Sequence, residues 1–228
     1  MPSSLRSPDA DRLKSRMFHD AVVADSMQRS PRSKTAVSRE EVMTRFVVNA
    51  LPLPGLKLVQ RSRIGDERGF LSRLFCREDL TAVGWDWPVA QINHSVTSAR
   101  GTVRGLHYQA PPYGEAKLVN CLRGAVWDVA VDVRAGSPTF LHWHGECLSA
   151  DNGKALLIPP GFAHGFQTLT EDVELLYCHS APYAPTAEGG LNPRDPALAI
   201  SWPLDIRTLS DRDAGHPLIS AGFKGVSL

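Results

Sequence analysis

No stretch of this 228-residue chain approaches the run of about 18 apolar residues that a membrane-spanning helix needs, so no membrane partner is expected. The formal net charge is only +1, too small for an overall field that would gather nucleic acid or an anionic surface. A local basic pocket for a phosphorylated ligand is compatible with that balance. The first residues lack the apolar core of a secretory signal. Cysteine is sparse: Cys76, Cys121, Cys147 and Cys178 are far apart and form no CxxC pair. They read as reduced, mostly packed thiols of a cytoplasmic protein rather than a disulfide framework. Internal repeats are absent as well.

What is present is an ordinary globular mixture, 43% hydrophobic and 21% charged, enough for the core of one domain. Residues 1–42 differ from the rest, being dominated by Ser, Arg, Asp and Pro. A weak helix over Arg12 to Met27 has too few apolar residues to dock on a core. A disordered extension is therefore expected over 1–42, followed by a single domain over 43–228, with Met43 as an alternative start. Phe46 to Val48 and Leu56 to Val59 read as strands, and Gly65 to Phe70 as a polar turn leading into a strand. A short helix is predicted over Arg77 to Val83. Short strands then follow closely at 90–95, 102–109, 116–122, 125–133, 140–148, 154–158, 165–168 and 173–179. Ala181 to Trp202 reads as a Pro- and Gly-rich loop, and a last short helix starts at Ser210, whose hydroxyl can cap it. So many strands with so little helix predict an all-β sandwich or barrel.

Two histidine-bearing runs organise the domain: Arg104-Gly105-Leu106-His107-Tyr108-Gln109 and Pro159-Pro160-Gly161-Phe162-Ala163-His164-Gly165-Phe166. Between them lie Lys117-Leu118-Val119 and Asp128-Val129-Ala130-Val131-Asp132. Charged groups set in apolar strands are costly to bury unless paired or used in chemistry, which marks this region as the expected active site. Gly153, five residues, Pro159-x-Gly161, two residues, His164 fits the second half-motif of the cupin jelly roll. The first half-motif is partial. Gly101, five residues, His107 is present, but Gln109 stands where a metal-binding cupin has its second histidine, and Glu115 lies near the usual carboxylate. An amide is a poor substitute ligand for zinc or iron, so the pattern supports the barrel more than a metal.

Six motifs follow one another in order: Asp66-Glu67-Arg68-Gly69-Phe70, Gln91-x-Asn93-x-Ser95, the Arg104 to Gln109 run, Lys117-Leu118-Val119, Asp128 to Asp132, and Gly161 to Phe166. Together they resemble the dTDP-4-dehydrorhamnose 3,5-epimerase family, a metal-independent branch of the cupins, over about Phe46 to Leu218. The resemblance implies a cupin-type jelly-roll barrel with a few short peripheral helices, working without metal or organic cofactor. It also implies a homodimer paired through N-terminal strands, for which Phe46 to Val59 is the candidate. The implied reaction is epimerisation at C3 and C5 of a nucleoside-diphosphate-4-keto-6-deoxyhexose, in deoxysugar synthesis. Removing a hydrogen beside the C4 ketone gives an enolate, so the site needs a base, a cation for the enolate oxygen and an acid on the other face.

By the same resemblance His107 is the base, paired with Asp213 of Ser210-Asp211-Arg212-Asp213-Ala214; Lys117 serves the C4 oxygen and Tyr177 is the proton donor. Arg68 and Arg104 are expected on the diphosphate, since guanidinium forks match phosphate oxygens. Gln91, Asn93 and His164 are expected along the sugar pocket, with Asp128 paired to Lys117 or His164. Two departures bear on specificity: Leu71-Ser72-Arg73 replaces an aromatic and acidic run, and Pro182-Tyr183 with Asn192 to Asp195 lacks aromatic residues common in the family. The nucleobase is therefore left open. Rival readings are a C3-only epimerase, a metal-dependent cupin using His107, Glu115 and His164, and a non-catalytic sugar-nucleotide-binding protein. Outside the resemblance, His142, His144 and Glu146 share one strand face, where a solvated surface is expected rather than a metal site.

Overall fold

Alternating apolar and polar residues, broken by Gly and Pro, dictate strands through most of the part described by a computed structural model, residues 45–228. The expected extension over 1–42 and the weak helix within it lie outside the described residues. The strands are β1 (Phe46–Ala50), β2 (Lys57–Arg61), β3 (Arg63–Asp66), β4 (Gly69–Ser72), β5 (Gln91–Thr97), β6 (Val103–Gln109) and β7 (Lys117–Arg123). They continue with β8 (Ala125–Asp132), β9 (Trp143–Ser149), β10 (Lys154–Ile158), β11 (Phe162–Thr168), β12 (Val173–His179) and β13 (Glu188–Gly190). Two short helices are described, α1 (Arg77–Thr81) and α2 (Asp211–Ala214).

A six-stranded sheet has the order β1-β2-β10-β7-β12-β5 and a five-stranded sheet the order β13-β6-β11-β8-β9; β3 and β4 form a separate hairpin. Every strand pair within these sheets is antiparallel. The two-residue period of a strand sorts the side chains. On β8, Val126 and Ala130 face the core between the sheets, whereas Val129 and Val131 face a second cluster with Leu191, Leu198 and Val226 of the C-terminal segment. On β7, Val119 and Cys121 point inward, while Leu118 packs outward with Leu80 and Trp85 near α1. This is the expected cupin-type jelly roll.

The local differences from the sequence reading have physical causes. The strand expected at 140–148 begins only at Trp143. Before it, Asp132 accepts hydrogen bonds from the Ser137 and Thr139 hydroxyls, both at 2.6 Å, and Leu141 adopts φ 61°, so the chain turns. The strand expected at 165–168 starts at Phe162, because β11 lies between β6 and β8 and pairs with β8 along its whole length. The 181–202 loop contains a short strand, β13, on the edge of β6. All four cysteines are free. Among the described residues no helix is long and apolar enough to cross a membrane.

Candidate active site

The same alternation that buries Val119 and Leu175 turns Lys117 on β7, Tyr177 and His179 on β12, His107 on β6 and His164 on β11 into the inner space. They line a cavity of about 380 Å³ together with Gln91, Asn93 and Ser95 of β5 and Arg104. His107 and His164 are register partners across β6 and β11, and the register shifts next to them. Glycine makes this approach possible. A Cβ on Gly105, where φ is 116°, would sit 2.6 Å from the Gly165 Cα and 2.7 Å from the His164 carbonyl oxygen.

Asp213 reaches His107 from α2. The Ser210 hydroxyl caps that helix by accepting from the Asp213 N–H at 3.1 Å. One Asp213 oxygen lies 2.7 Å from His107 Nε2 and the other accepts from the Gly105 N–H at 3.1 Å. Burial favours the neutral form of this carboxyl, but the hydrogen bonds from His107 and the Gly105 N–H outweigh it and hold the pKa below the usual value. An ionised carboxylate accepts only, so Nε2 carries the imidazole proton and Nδ1 keeps the lone pair.

Lys117 Nζ lies 3.0 Å from Glu115 Oε1, and Glu115 Oε2 lies 2.8 Å from His179 Nδ1. All three side chains are close to one-tenth exposed. For Glu115, too, burial favours the neutral acid, yet the hydrogen bond from His179 and the charge of Lys117 prevail and the pKa is lowered. Lys117 thus pairs with Glu115, and of the two partners expected for Asp128, Lys117 and His164, it is His164 that Asp128 meets. Asp128, fully buried, holds His164 Nε2 at 2.9 Å and stands behind that ring rather than on the cavity wall.

Tyr177 stacks near His179, ring centroids 6.0 Å apart, and meets His164 edge-on at 6.1 Å. Its hydroxyl is 3.3 Å from Ser95 Oγ. Burial pushes the phenol pKa well above its ordinary value, with the Ser95 bond opposing only in part. Tyr177 therefore keeps its proton throughout the neutral range.

Of the two arginines expected on a diphosphate, Arg104 lines the cavity, with Nη2 donating to the Val96 carbonyl at 3.2 Å. Arg68 does not. It sits on the β3–β4 turn, 85% exposed, paired with Asp66. The rival metal set is not assembled: His107 is engaged by Asp213, His164 by Asp128 and Glu115 by Lys117 and His179. Gln109 instead secures the following loops, donating to the Tyr113 and Pro182 carbonyls and accepting from the Ala184 N–H. Among the described residues, the ligand-type atoms that cluster within 4.8 Å belong to His107, Asp213 and His216, and there the His107–Asp213 hydrogen bond already closes the contact. On β9, His144 and Glu146 share the face of their register partners Ala130 and Asp128 and are 21% and 17% exposed, so this is not the solvated surface expected; Glu146 is held there by Lys154 at 3.0 Å, with His144 at 3.7 Å.

Sequence reasoning missed His179, Ser95's contact with Tyr177, and His216, whose ring meets His107 edge-on at 6.2 Å. It also missed the mouth of the cavity, where Tyr183 Oη donates to Glu188 and Arg212 pairs with the same carboxylate. The one available signal was the period of β12, which puts residue 179 beside residue 177 on the inner face.

Fold and cavity together define an enzyme on a cupin-type barrel, built around proton transfer. A family model described as dTDP-4-dehydrorhamnose 3,5-epimerase matches residues 50–221. The chain belongs to that family. It is 43% identical over 173 residues to the dTDP-4-dehydrorhamnose 3,5-epimerase of Sinorhizobium fredii, covering 74% of this chain and 87% of that protein. It is 45% identical over 157 residues to a dTDP-4-dehydro-6-deoxyglucose 3-epimerase of Streptomyces bikiniensis, covering 68% and 80%. The crystal structure of the Legionella pneumophila epimerase RmlC in complex with dTDP-4-keto-L-rhamnose superposes with a TM-score of 0.75 at 37% identity, covering 80% of this chain and 99% of that one.

Proposed function

We propose that this protein inverts C3 and C5 of a nucleoside-diphosphate-4-keto-6-deoxyhexose, with dTDP-4-keto-6-deoxyglucose as the first substrate to test. One observation carries the reading: a carboxylate-held imidazole, a buried ammonium group and a protonated phenol, from His107, Lys117 and Tyr177, line a single cavity. His107 takes the proton from the carbon beside the ketone, and the C–H electrons form the C=C bond of an enolate. Lys117 donates to the enolate oxygen as charge develops there. Tyr177 returns a proton to the opposite face of the ring. Its raised pKa fits that task, since it gives the proton up only to the far more basic enolate carbon. Asp213 stabilises the imidazolium that forms.

Arg104 is assigned to the diphosphate, and Gln91, Asn93 and His164 to the sugar. In this reading the chain is a homodimer, and Arg68 serves the diphosphate from a second copy, because it lies outside its own chain's cavity. Phe70 and Leu71 on the same hairpin, 60% and 72% exposed, give that hairpin an apolar surface to bury there. Four unpaired thiols fit a reducing compartment such as the cytoplasm.

Incubation with dTDP-4-keto-6-deoxyglucose in deuterated water, followed by NMR, tests the reading. Label at C3 and C5 is expected. Label at C3 alone supports the narrower enzyme, which the Streptomyces bikiniensis relative favours. No label, with this substrate or its CDP and GDP analogues, overturns both.

A further inference from the structure

His179 faces Lys117 directly across the β7–β12 pair, and both approach the same carboxylate, that of Glu115. The hydrogen bonds leading to that carboxylate run in one direction. The Tyr183 N–H donates to Gln91 Oε1 at 3.0 Å, and Gln91 Nε2 donates to Asn93 Oδ1 at 2.9 Å. Asn93 Nδ2 then donates to His179 Nε2 at 3.4 Å, which leaves the ring proton on Nδ1 to be donated to Glu115 Oε2 at 2.8 Å. Lys117 holds the other oxygen, Oε1. No donor in this chain faces another donor, so the neutral Nδ1–H tautomer is the one its partners select.

We propose that His179 is a positioning residue for Lys117, acting through Glu115; this rests on the role given to Lys117 above. Lysine ends a flexible four-carbon stem and offers a point charge rather than a shaped fork. A carboxylate with one oxygen free could rotate and draw the ammonium away from the ketone. With Oε2 fixed by His179, Oε1 becomes a stationary anchor. The anchor matters for rate, since an error of about 1 Å in such a group costs on the order of a hundredfold. Asn93 and Gln91 complete the device by fixing the tautomer of His179, in addition to lining the sugar pocket. Tyr177, stacked on the same ring, and Glu115 and Lys117 are the ionisable groups that His179 meets.

The test uses the full chain and deuterium exchange into dTDP-4-keto-6-deoxyglucose. His179→Ala should lower kcat roughly 10- to 100-fold while KM stays within about twofold. His179→Asn, whose amide can occupy the place of Nδ1–H, should recover most of the loss. In a Lys117→Ala background, His179→Ala should cost nothing further, because a residue acting only through Lys117 has nothing left to position. A purely structural role would lower both backgrounds alike and would show no preference for Asn over Ala. Unchanged kcat in His179→Ala, an undiminished cost without Lys117, or failure of Asn to rescue overturns the inference. If His179→Ala does not fold, the comparison of His179→Asn with the wild-type protein, in both Lys117 backgrounds, decides by the same non-additivity. No exchange by the wild-type protein overturns the proposed function instead.

Discussion

His107 and His164 stand opposite one another across β6 and β11, yet each is held by a different carboxylate, Asp213 at 2.7 Å and Asp128 at 2.9 Å. The environments differ accordingly. The His107 side chain is 31% exposed, whereas His164 is 6% exposed with a fully buried partner. Both rings line the cavity, and His107 is the more open of the two.

Replacing Asp213 by Asn keeps its shape but removes the charge that fixes the His107 tautomer. A fall in kcat of about 10²- to 10⁴-fold is expected, with KM little changed. Steady-state kinetics of Asp213→Asn check this, and a variant with wild-type kcat would show that the imidazole needs no partner.

Tyr177→Phe removes the donor from one face and leaves the base on the other. Proton abstraction should persist, so deuterium still enters while inversion slows by more than exchange does. NMR of the product mixture separates the two, and equal slowing of both would place the proton donor elsewhere.

The homodimer can be tested by complementation. Arg68→Ala should raise KM despite the exposure of that side chain, and His107→Ala should be inactive. Mixed dimers of the two variants contain one site with both residues intact, so activity at low substrate should rise on mixing. No recovery after verified subunit exchange would mean that Arg68 does not act across copies.

Asp132 makes a separate prediction about acid. Burial favours its neutral form, but Arg134, Ser137 and Thr139 together bring the carboxyl pKa from 3.8 down to about 2. A lowered folded-state value means that the stabilisation is complete above the unfolded value and is lost as pH falls through about 2. It amounts to about 2 kcal/mol. Urea unfolding of Asp132→Asn should therefore show a deficit of that order at neutral pH, shrinking towards about pH 2. A deficit that does not change with pH would contradict the ionic origin.

Much of the barrel was legible because strand alternation and turn residues agree with the final fold, whereas His107, Lys117 and Tyr177 were singled out by the family resemblance, and the structure puts them on one cavity. Three features were not legible. Glu115 lies in the coil ahead of β7, where sequence spacing pointed to a metal ligand; only the fold shows Lys117 and His179 converging on it. β13 is two-thirds glycine, a poor strand sequence; it forms by pairing with β6, and its glycines are needed because the Tyr108 and His216 rings occupy the space side chains would take. Arg68 carries a family motif, but its place relative to the cavity depends on a hairpin outside both main sheets. For Glu115 and β13 the neighbours that decide, His179 and the Tyr108 and His216 rings, are distant in sequence.

The central claim is that the imidazole of His107 removes the protons beside the ketone. Deuterium incorporation into dTDP-4-keto-6-deoxyglucose, compared between the wild-type protein and His107→Ala, tests it most directly. The account predicts label at C3 and C5 with the wild-type protein and none above the uncatalysed rate with the variant. Equal labelling by a folded His107→Ala protein would contradict it.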